Sequence, residues 1–441
     1  MVRYKQVLSM SDLLLKNFIR VSSIPRESGN ESKIADFFVD IAKENDFYYY
    51  KDENNNVLIR KPGNNNKEPI GIQAHLDMVC EKEKDSIHNF DTDPIEVIVE
   101  DDKVRANNTS LGADQGVGLA MMLTLIEDKE LNSPTLEFIF TVEEETNFNG
   151  ACTFPYNLLT TKRIINLDSC NDDVVYIGSE ADIANQYTYK LNYIDNDSPT
   201  YRMEVTTPYG GNSGEYIKES KNNAIYKTCE ILKDMNIQLI SISGGKNEDD
   251  IANKCIVEFS TNDKVDNLTN IEKIDNKKSL SIKDTKELFK NILLMKSGFI
   301  NNNISANLGY IETNNNKIEF YYLMRSKNDK ELVEYNELIN SKIINLEYEE
   351  MYSDDSFIIS KDSKLLNLYK KIYKEMYKEE AKEEICTGGI ECSIIANSIA
   401  NLDIISVGST VNYFHTTKEE TYISSWIKIY KILLELLNKI N

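Results

Sequence analysis

Hydrophobic positions change their spacing along this chain, and each change marks a different kind of structure. In residues 31–45, ESKIADFFVDIAKEN, Ile34, Phe37, Phe38 and Ile41 recur at helical spacing, so the segment predicts an amphipathic helix. Short apolar runs follow: VLIR, PIGIQAHLDMV, LEFIFTV, RIINL and VVYIG, interrupted by the helical run VGLAMMLTLIED. Near-continuous apolar runs predict strands buried on both faces, and their alternation with helix predicts an α/β sheet. From about 185 to 354 the texture shifts to longer alternating strands, such as QYTYKLNYI and KIEFYYLMR, with one helical segment, EYIKESKNNAIYKTCEILKDM. Beyond 354 the first style resumes: LLNLYKKIYKEMY and WIKIYKILLELL read as amphipathic helices flanking a buried strand, DIISVG.

The pattern predicts an α/β domain in two pieces, 1–184 and 355–441, with a central, mostly parallel sheet flanked by helices. An α+β domain is inserted at 185–354. The Asn-rich patches ENNN, GNNNKE, INNNIS and TNNNKI fall where turns are expected, and TNNNK separates two strand-like runs as a hairpin loop does.

Composition narrows the function classes. At 441 residues and 41% hydrophobic, the chain can build two or three domains with real cores. Fifty basic against 72 acidic residues leave a net charge of −22, which repels nucleic-acid phosphates and anionic membranes. The N-terminal stretch carries Asp12, Lys16 and Arg20 through its most apolar part, unlike a signal peptide. No segment approaches the roughly 20 apolar residues that span a bilayer. Seven cysteines without a CxxC pair read as reduced thiols, with Cys80, Cys170 and Cys392 as small buried residues near candidate site positions. The expectation is a cytoplasmic protein with no nucleic-acid and no membrane partner.

The candidate chemistry starts from histidine, which occurs only 3 times. His75 and His415 sit just past apolar β-type runs in acid-rich surroundings. Between them lie Asp114 in LGADQGVG, the triplet Glu143, Glu144 and Glu145 in TVEEETNFNGA, and Asp168 in INLDSC. Strand alternation puts Gln73, His75 and Asp77 on one face, so a carboxylate is placed to hold the second imidazole N–H and set the tautomer. Asp114 reads either as an ordinary helix N-cap or as a carboxylate shared by two cations. The three glutamates end a buried strand, where like charges are costly without a cation; a solvated charge run is the competing reading. All these positions lie at or beyond strand C-terminal ends, where open α/β sheets place their ligands. Mixed N and O donors suit Zn²⁺ best, with Mn²⁺ or Co²⁺ as substitutes. The convergence predicts a two-metal hydrolase centre in the α/β domain.

Several segments carry a resemblance that runs nearly end to end: SSIPRESGNE, NNVLIRKPG, GIQAHLDMVCEK, HNFDTDPI, TSLGADQGVG, TVEEETNFNGA, INLDS, GIECS and ISVGSTVNYFHT. In order and content they resemble the M20 metallopeptidases, and within them the aminoacyl-histidine dipeptidases, also called Xaa-His or cytosol non-specific dipeptidases. The resemblance implies two metals held by His75, Asp114, Glu145, Asp168 and His415, with Asp114 bridging. It implies Glu144 as general base, aligned back from Gly150 and Ala151, and Asp77 as the group orienting His75. Glu143 receives no role, and His88 falls outside the metal shell. Arg325 in FYYLMRS matches an arginine suited to clamp a substrate carboxylate, a surface salt bridge being the alternative. A homodimer is also implied, and the inserted domain's part as a lid over the centre is implied by the resemblance alone.

The lid segment departs from the family pattern. YGGNSGE places Asn212 where the family has a histidine that polarises the scissile carbonyl. Asparagine can donate a hydrogen bond but is shorter and uncharged. Thr387 stands for a second histidine, and Asp249 and Asn253 in EDDIANK stand for an Asn and an Arg. The sequence therefore predicts metal-dependent hydrolysis of small peptides, dipeptides of Xaa-His or broad type. The alternatives are a catalytically diverged metal- or peptide-binding paralogue and an M20-type amidohydrolase of another N-acyl amino acid.

Overall fold

The structure is a computed structural model in which residues 9–440 are described. The chain divides into two compact units. One comprises the described residues up to Gly178, together with Phe357–Ile385 and the chain from Ile390 on; the other comprises Ser179–Ser356 with Cys386–Gly389.

The first unit is built on a nine-stranded sheet. Its centre is parallel: Leu136–Thr141, Ile70–His75, Arg163–Asn166 and Asp403–Ser406 lie side by side in that order. Val57–Lys61 and Tyr48–Lys51 extend one side antiparallel, and Val174–Ser179 pairs antiparallel on the other. Every residue of Ile70–His75 and Leu136–Thr141 is buried, which is why these strands lack polar alternation.

Helices account for that burial. Met10–Ser22 starts at Ser9, whose side chain and Asp12 form a reciprocal capping box. Ala113–Glu127 is buried continuously from Gln115 to Ile126, as its all-round apolar sequence requires. Phe18 packs on Trp426 of the last helix with ring centroids 4.9 Å apart, and Phe38 of Ser32–Glu44 stacks on Phe140 at 4.2 Å. Each such ring contributes about 1.5–3 kcal/mol by leaving water. The parallel order brings the C-terminal ends Thr141, His75, Asn166 and Ser406 to one edge of the sheet. His75 ends one of these strands, and the segments leaving that edge carry Asp77, Glu144, Glu145, Asp168 and His415, whereas Asp114 comes from the turn that starts Ala113–Glu127.

The second unit contains a sheet of antiparallel neighbours: Ile271–Ile274, Thr200–Thr206, Lys254–Thr261, Ile237–Gly245, Ile304–Asn314, Lys317–Ser326, Ala181–Lys190 and Glu347–Asp354. Ile225, Cys229, Leu288, Phe289 and Ile292 from its helices share a core with Tyr187, Phe259, Phe320 and Tyr322 from the sheet. TNNNK forms the expected hairpin turn, with Asn315 at φ 52° joining Ile304–Asn314 to Lys317–Ser326. The single helix expected over 215–235 is broken. Ser213–Tyr216 and a 3₁₀ stretch at Ile217–Asn222 precede Ala224–Leu232, because the Asn223 side chain accepts from the backbone N–H groups of Ile225 (2.9 Å) and Tyr226 (3.2 Å) and starts a new helix there.

All seven cysteines are free thiols. Among the described residues no helix is long and apolar enough to cross a membrane.

Candidate metal centre

His75 is the last residue of its strand, and Asp77 lies beyond it. The two still meet, with Nδ1 of His75 3.2 Å from Oδ1 of Asp77, but through the loop rather than the pleat. Asp77 also accepts from Ser28 Oγ (2.8 Å) and from the backbone N–H groups of Glu144 and Glu145 (both 3.1 Å). One buried carboxylate thus orients the imidazole and ties it to the loop after Leu136–Thr141.

Asp114 is not a helix cap. Gly112, at φ 65°, takes the N-cap position, and Asp114 has non-helical angles of φ −78° and ψ 110° before a cis peptide bond to Gln115. Its two oxygens face different imidazoles: Oδ1 is 3.3 Å from His75 Nε2, and Oδ2 is 3.6 Å from His415 Nε2. Glu145 Oε2 lies 2.7 Å from the same nitrogen of His415. Asp168 Oδ1 and Glu144 Oε2 approach His75 Nε2 to 3.7 and 4.0 Å. Gln115 donates from Nε2 to Asp168. Glu143 turns away in a left-handed conformation (φ 52°), its N–H given to Glu31.

Among the described residues two groups could hold a metal ion: His75, Asp114 and Glu145, and His75, Glu144 and Asp168, the donor atoms of each lying within 4.8 Å of one another. The chemistry of the donor set fits divalent cations. Five carboxylates, from Asp77, Asp114, Glu144, Glu145 and Asp168, surround two imidazoles, and Glu145 Oε1 is buried with no hydrogen-bond partner among the described residues.

The protonation equilibria record the same excess of negative charge. Burial pushes Glu144 well above the usual carboxylate range, and the charges of Asp168, Glu145 and Glu391 add to it. Glu145 and Asp168 are raised too, burial again leading. Asp114 goes the other way, because hydrogen bonds to His415 and His75 outweigh its burial. Burial alone would lower both imidazoles, yet the surrounding carboxylates hold them well above their ordinary value.

Three residues passed over in the sequence shape this centre. Glu419 is buried and accepts from the backbone N–H groups of Leu111 (2.7 Å), Gly112 (2.9 Å), Ala113 (2.8 Å) and Asp114 (3.3 Å). Arg26, 1% exposed, donates to the carbonyls of Leu76 (3.0 Å), Asp77 (2.5 Å) and Gly112 (2.5 Å). Together they hold the Asp114 turn against the His75 loop. A side chain at Gly112, already at φ 65°, would be strained and would press within 2.6 Å of Arg26 Nη2 and Met78 Sδ, displacing both. Glu391 is also buried, accepting from Gln73 (2.5 Å) and Thr141 (2.9 Å), and burial pushes its carboxyl up to about 7. In sequence Glu419 sits in a run, TKEE, that looks solvated, and Arg26 follows a proline in a polar stretch. Only the spacing of Glu419 four residues after His415 could have singled it out.

The remaining candidates lie in the second unit. Arg325, 4% exposed, donates from Nη2 to Asp249 Oδ1 (2.6 Å) and from Nη1 to Ser213 Oγ (2.9 Å). Asn212 donates from Nδ2 to Asp249 Oδ2 (3.1 Å) and accepts from Gly214 N (2.7 Å). His88 packs edge-on against Phe90 in the first unit, apart from both metal-ligand groups.

Comparison with known proteins shows the family. Residues 71–439 match the model of peptidase family M20/M25/M40. The chain belongs to that family. This M20 peptidase is 27% identical to the cytosol non-specific dipeptidase of Escherichia coli (strain K12), over 96% of each chain. Its fold superposes on the crystal structure of aminoacylhistidine dipeptidase from Vibrio alginolyticus with a TM-score of 0.74 at 24% identity, over 98% and 97% of the two chains. A tripeptidase from Staphylococcus aureus follows at a TM-score of 0.66 and 16% identity, over 98% of both chains. As an M20 peptidase the protein is a peptide-bond hydrolase.

Proposed function

We propose that this M20 peptidase is a dipeptidase working with two divalent metal ions, and the observation that carries the proposal is Asp114, whose two oxygens face His75 on one side and His415 on the other. His75, Asp168 and one oxygen of Asp114 would hold one ion; His415, Glu145 and the second oxygen would hold the other. Nitrogen and carboxylate donors suit Zn²⁺, with Mn²⁺ or Co²⁺ as substitutes. When bound, such a pair lowers the pKa of water and polarises the peptide carbonyl.

The chain's own groups do the rest. Glu144, beside the cluster but outside the proposed ligand set, takes the proton from the attacking water and returns it to the leaving amine. Asp77 fixes the tautomer of His75 so that Nε2 faces the cluster. Residues 1–184 and 355–441 form the catalytic domain in this reading, and 185–354 the lid, from which Asn212 and Arg325 meet the substrate. The name of the Escherichia coli relative and the free thiols support a cytoplasmic setting. The family resemblance carries the homodimer.

The test is amine release from a panel of dipeptides, Xaa-His included, by protein reconstituted with Zn²⁺ or Mn²⁺. Chelator-sensitive turnover that Glu144→Gln abolishes is the expected result. Asn212, Asp249 and Thr387 favour a second reading, a diverged binding paralogue. Tight binding of intact dipeptides with no turnover by metal-loaded protein would select it.

A further inference from the structure

We propose that Glu391 is a positioning residue for the metal centre: it fixes the sense of a buried side-chain relay through Gln73 and Asn166 that ends on the backbone of Asp168. This rests on the reading in which Asp168 is a metal ligand. Glu391, Gln73, Thr141 and Asn166 are all fully buried. Gln73 lies opposite Asn166 in the register of their parallel strands, and Thr141 lies opposite His75. The four side chains therefore meet at the C-terminal edge of the sheet, where Glu391 opens the helix Glu391–Ser398.

The relay runs in one sense only. Glu391 Oε2 accepts from Gln73 Nε2 at 2.5 Å and from Thr141 Oγ1 at 2.9 Å, and Gln73 Nε2 also donates to Thr141 Oγ1 at 3.0 Å. With both amide hydrogens so used, Gln73 turns its carbonyl oxygen to Asn166 Nδ2, 2.6 Å away. Asn166 is left with its own oxygen toward the N–H of Asp168, at 3.0 Å. Turning the two amides over would set oxygen against oxygen at Glu391 and N–H against N–H at Asp168, both out of reach of solvent. An acceptor at position 391 selects the sense, and it does so in either charge state. Oε2 is taken by two donors, so a proton on this carboxyl sits on Oε1, which has no hydrogen-bond partner among the described residues.

The far end of the relay is the metal centre. Asp168 presents Oδ1 3.7 Å from His75 Nε2, and Gln115 donates to the same oxygen. The bond from Asn166 holds the backbone from which that carboxylate projects. Gln73 stands two residues before His75 on the same face of the strand. One network thus ties the ends of three neighbouring strands, two of which lead into ligands. Groups that orient metal ligands in this way contribute about 10- to 100-fold in metal affinity.

The experiment reads metal rather than turnover. Zn²⁺ affinity by calorimetry, the visible absorption of Co²⁺-loaded protein and the melting temperature are compared in unaltered protein, Glu391→Met and Glu391→Gln. Methionine keeps the volume and removes the acceptor; glutamine keeps one acceptor oxygen but buries an unpaired amide. Glu391→Met is expected to weaken Zn²⁺ binding about 10- to 100-fold and to change the Co²⁺ absorption. Glu391→Gln is expected to keep affinity and absorption close to those of unaltered protein while its melting temperature falls. An unchanged metal site in Glu391→Met, or affinity that follows melting temperature through both variants, would overturn the proposal. Where Glu391→Met does not fold, an exchange decides. Gln73→Glu alone sets two carboxyls face to face and should disturb the Co²⁺ absorption, whereas Gln73→Glu with Glu391→Gln rebuilds the relay in its original sense and should restore it. A double variant no better than the single would again overturn the proposal. Unaltered protein that binds no divalent metal would remove the two-metal reading and this inference with it, whereas metal binding indifferent to these variants would remove this inference alone.

Discussion

The two units treat buried charge in opposite ways. In the first, five carboxylates crowd two imidazoles, and one oxygen of Glu145 has no hydrogen-bond partner among the described residues. In the second, Arg325 donates to Asp249 and Ser213, and Asn212 donates to the same Asp249. A cluster that cannot balance its own charge is built for a cation from outside. A cluster that balances itself has little left for an ion. The family resemblance alone would not separate these cases, since Asp249 stands where the family pattern has an Asn.

Stripping the metal is the largest test of the first half of this contrast. Chelation should abolish hydrolysis and add like-charge repulsion among Glu144, Glu145 and Asp168, read as a lowered melting temperature together with lost turnover. Glu144→Gln should cut kcat by about 10²- to 10⁴-fold while metal content by elemental analysis stays unchanged; an equal loss of metal would make Glu144 a ligand instead of a base.

Glu419→Gln comes next. A glutamine offers one acceptor oxygen where four N–H groups now converge, so the Asp114 turn should loosen and metal affinity fall about 10- to 100-fold. Unchanged affinity would reduce Glu419 to a fold-stabilising role.

The smallest effect belongs to the second unit. Burial lifts Asp182 to about 7, against an ordinary value near 3.9 in the unfolded chain. Between those values the folded state holds a proton that the unfolded state has lost, so stability falls as pH rises through that window. Asp182→Asn should raise the melting temperature by a few degrees near pH 8, with the gain shrinking toward pH 4. A gain independent of pH would mean that Asp182 is ionised throughout.

Much of this was legible in the chain. Near-continuous apolar runs located the buried strands of the first unit and period-3.6 spacing its amphipathic helices, since both follow from which faces of an element are covered. The TNNNK hairpin was readable because turns draw on few residue types. His75, His415, Asp168 and the Glu143–Glu145 triplet stood out as rare or costly residues near strand ends, the family resemblance singled out Glu145 and gave Asp114 its place, and the structure puts these side chains close together. The broken helix after Ser213 was not legible, because apolar spacing runs on across Asn223 while a local cap interrupts it. Arg26, Glu391 and Glu419 were missed for a related reason: a charged residue in a polar stretch looks solvated until a distant segment covers it.

What the sequence determined by itself is the family, the order of elements and the identity of the charged residues at each strand end, all of which depend on local spacing. What only the tertiary structure decided is how those charges are matched. Asp114 faces two imidazoles because Glu419 and Arg26, about 300 and 90 residues away in sequence, hold its turn from either side. Arg325 is matched because Asp249 arrives on another strand–loop segment. Coulomb and hydrogen-bond energies depend on separation in space, and that separation exists only once the chain has folded.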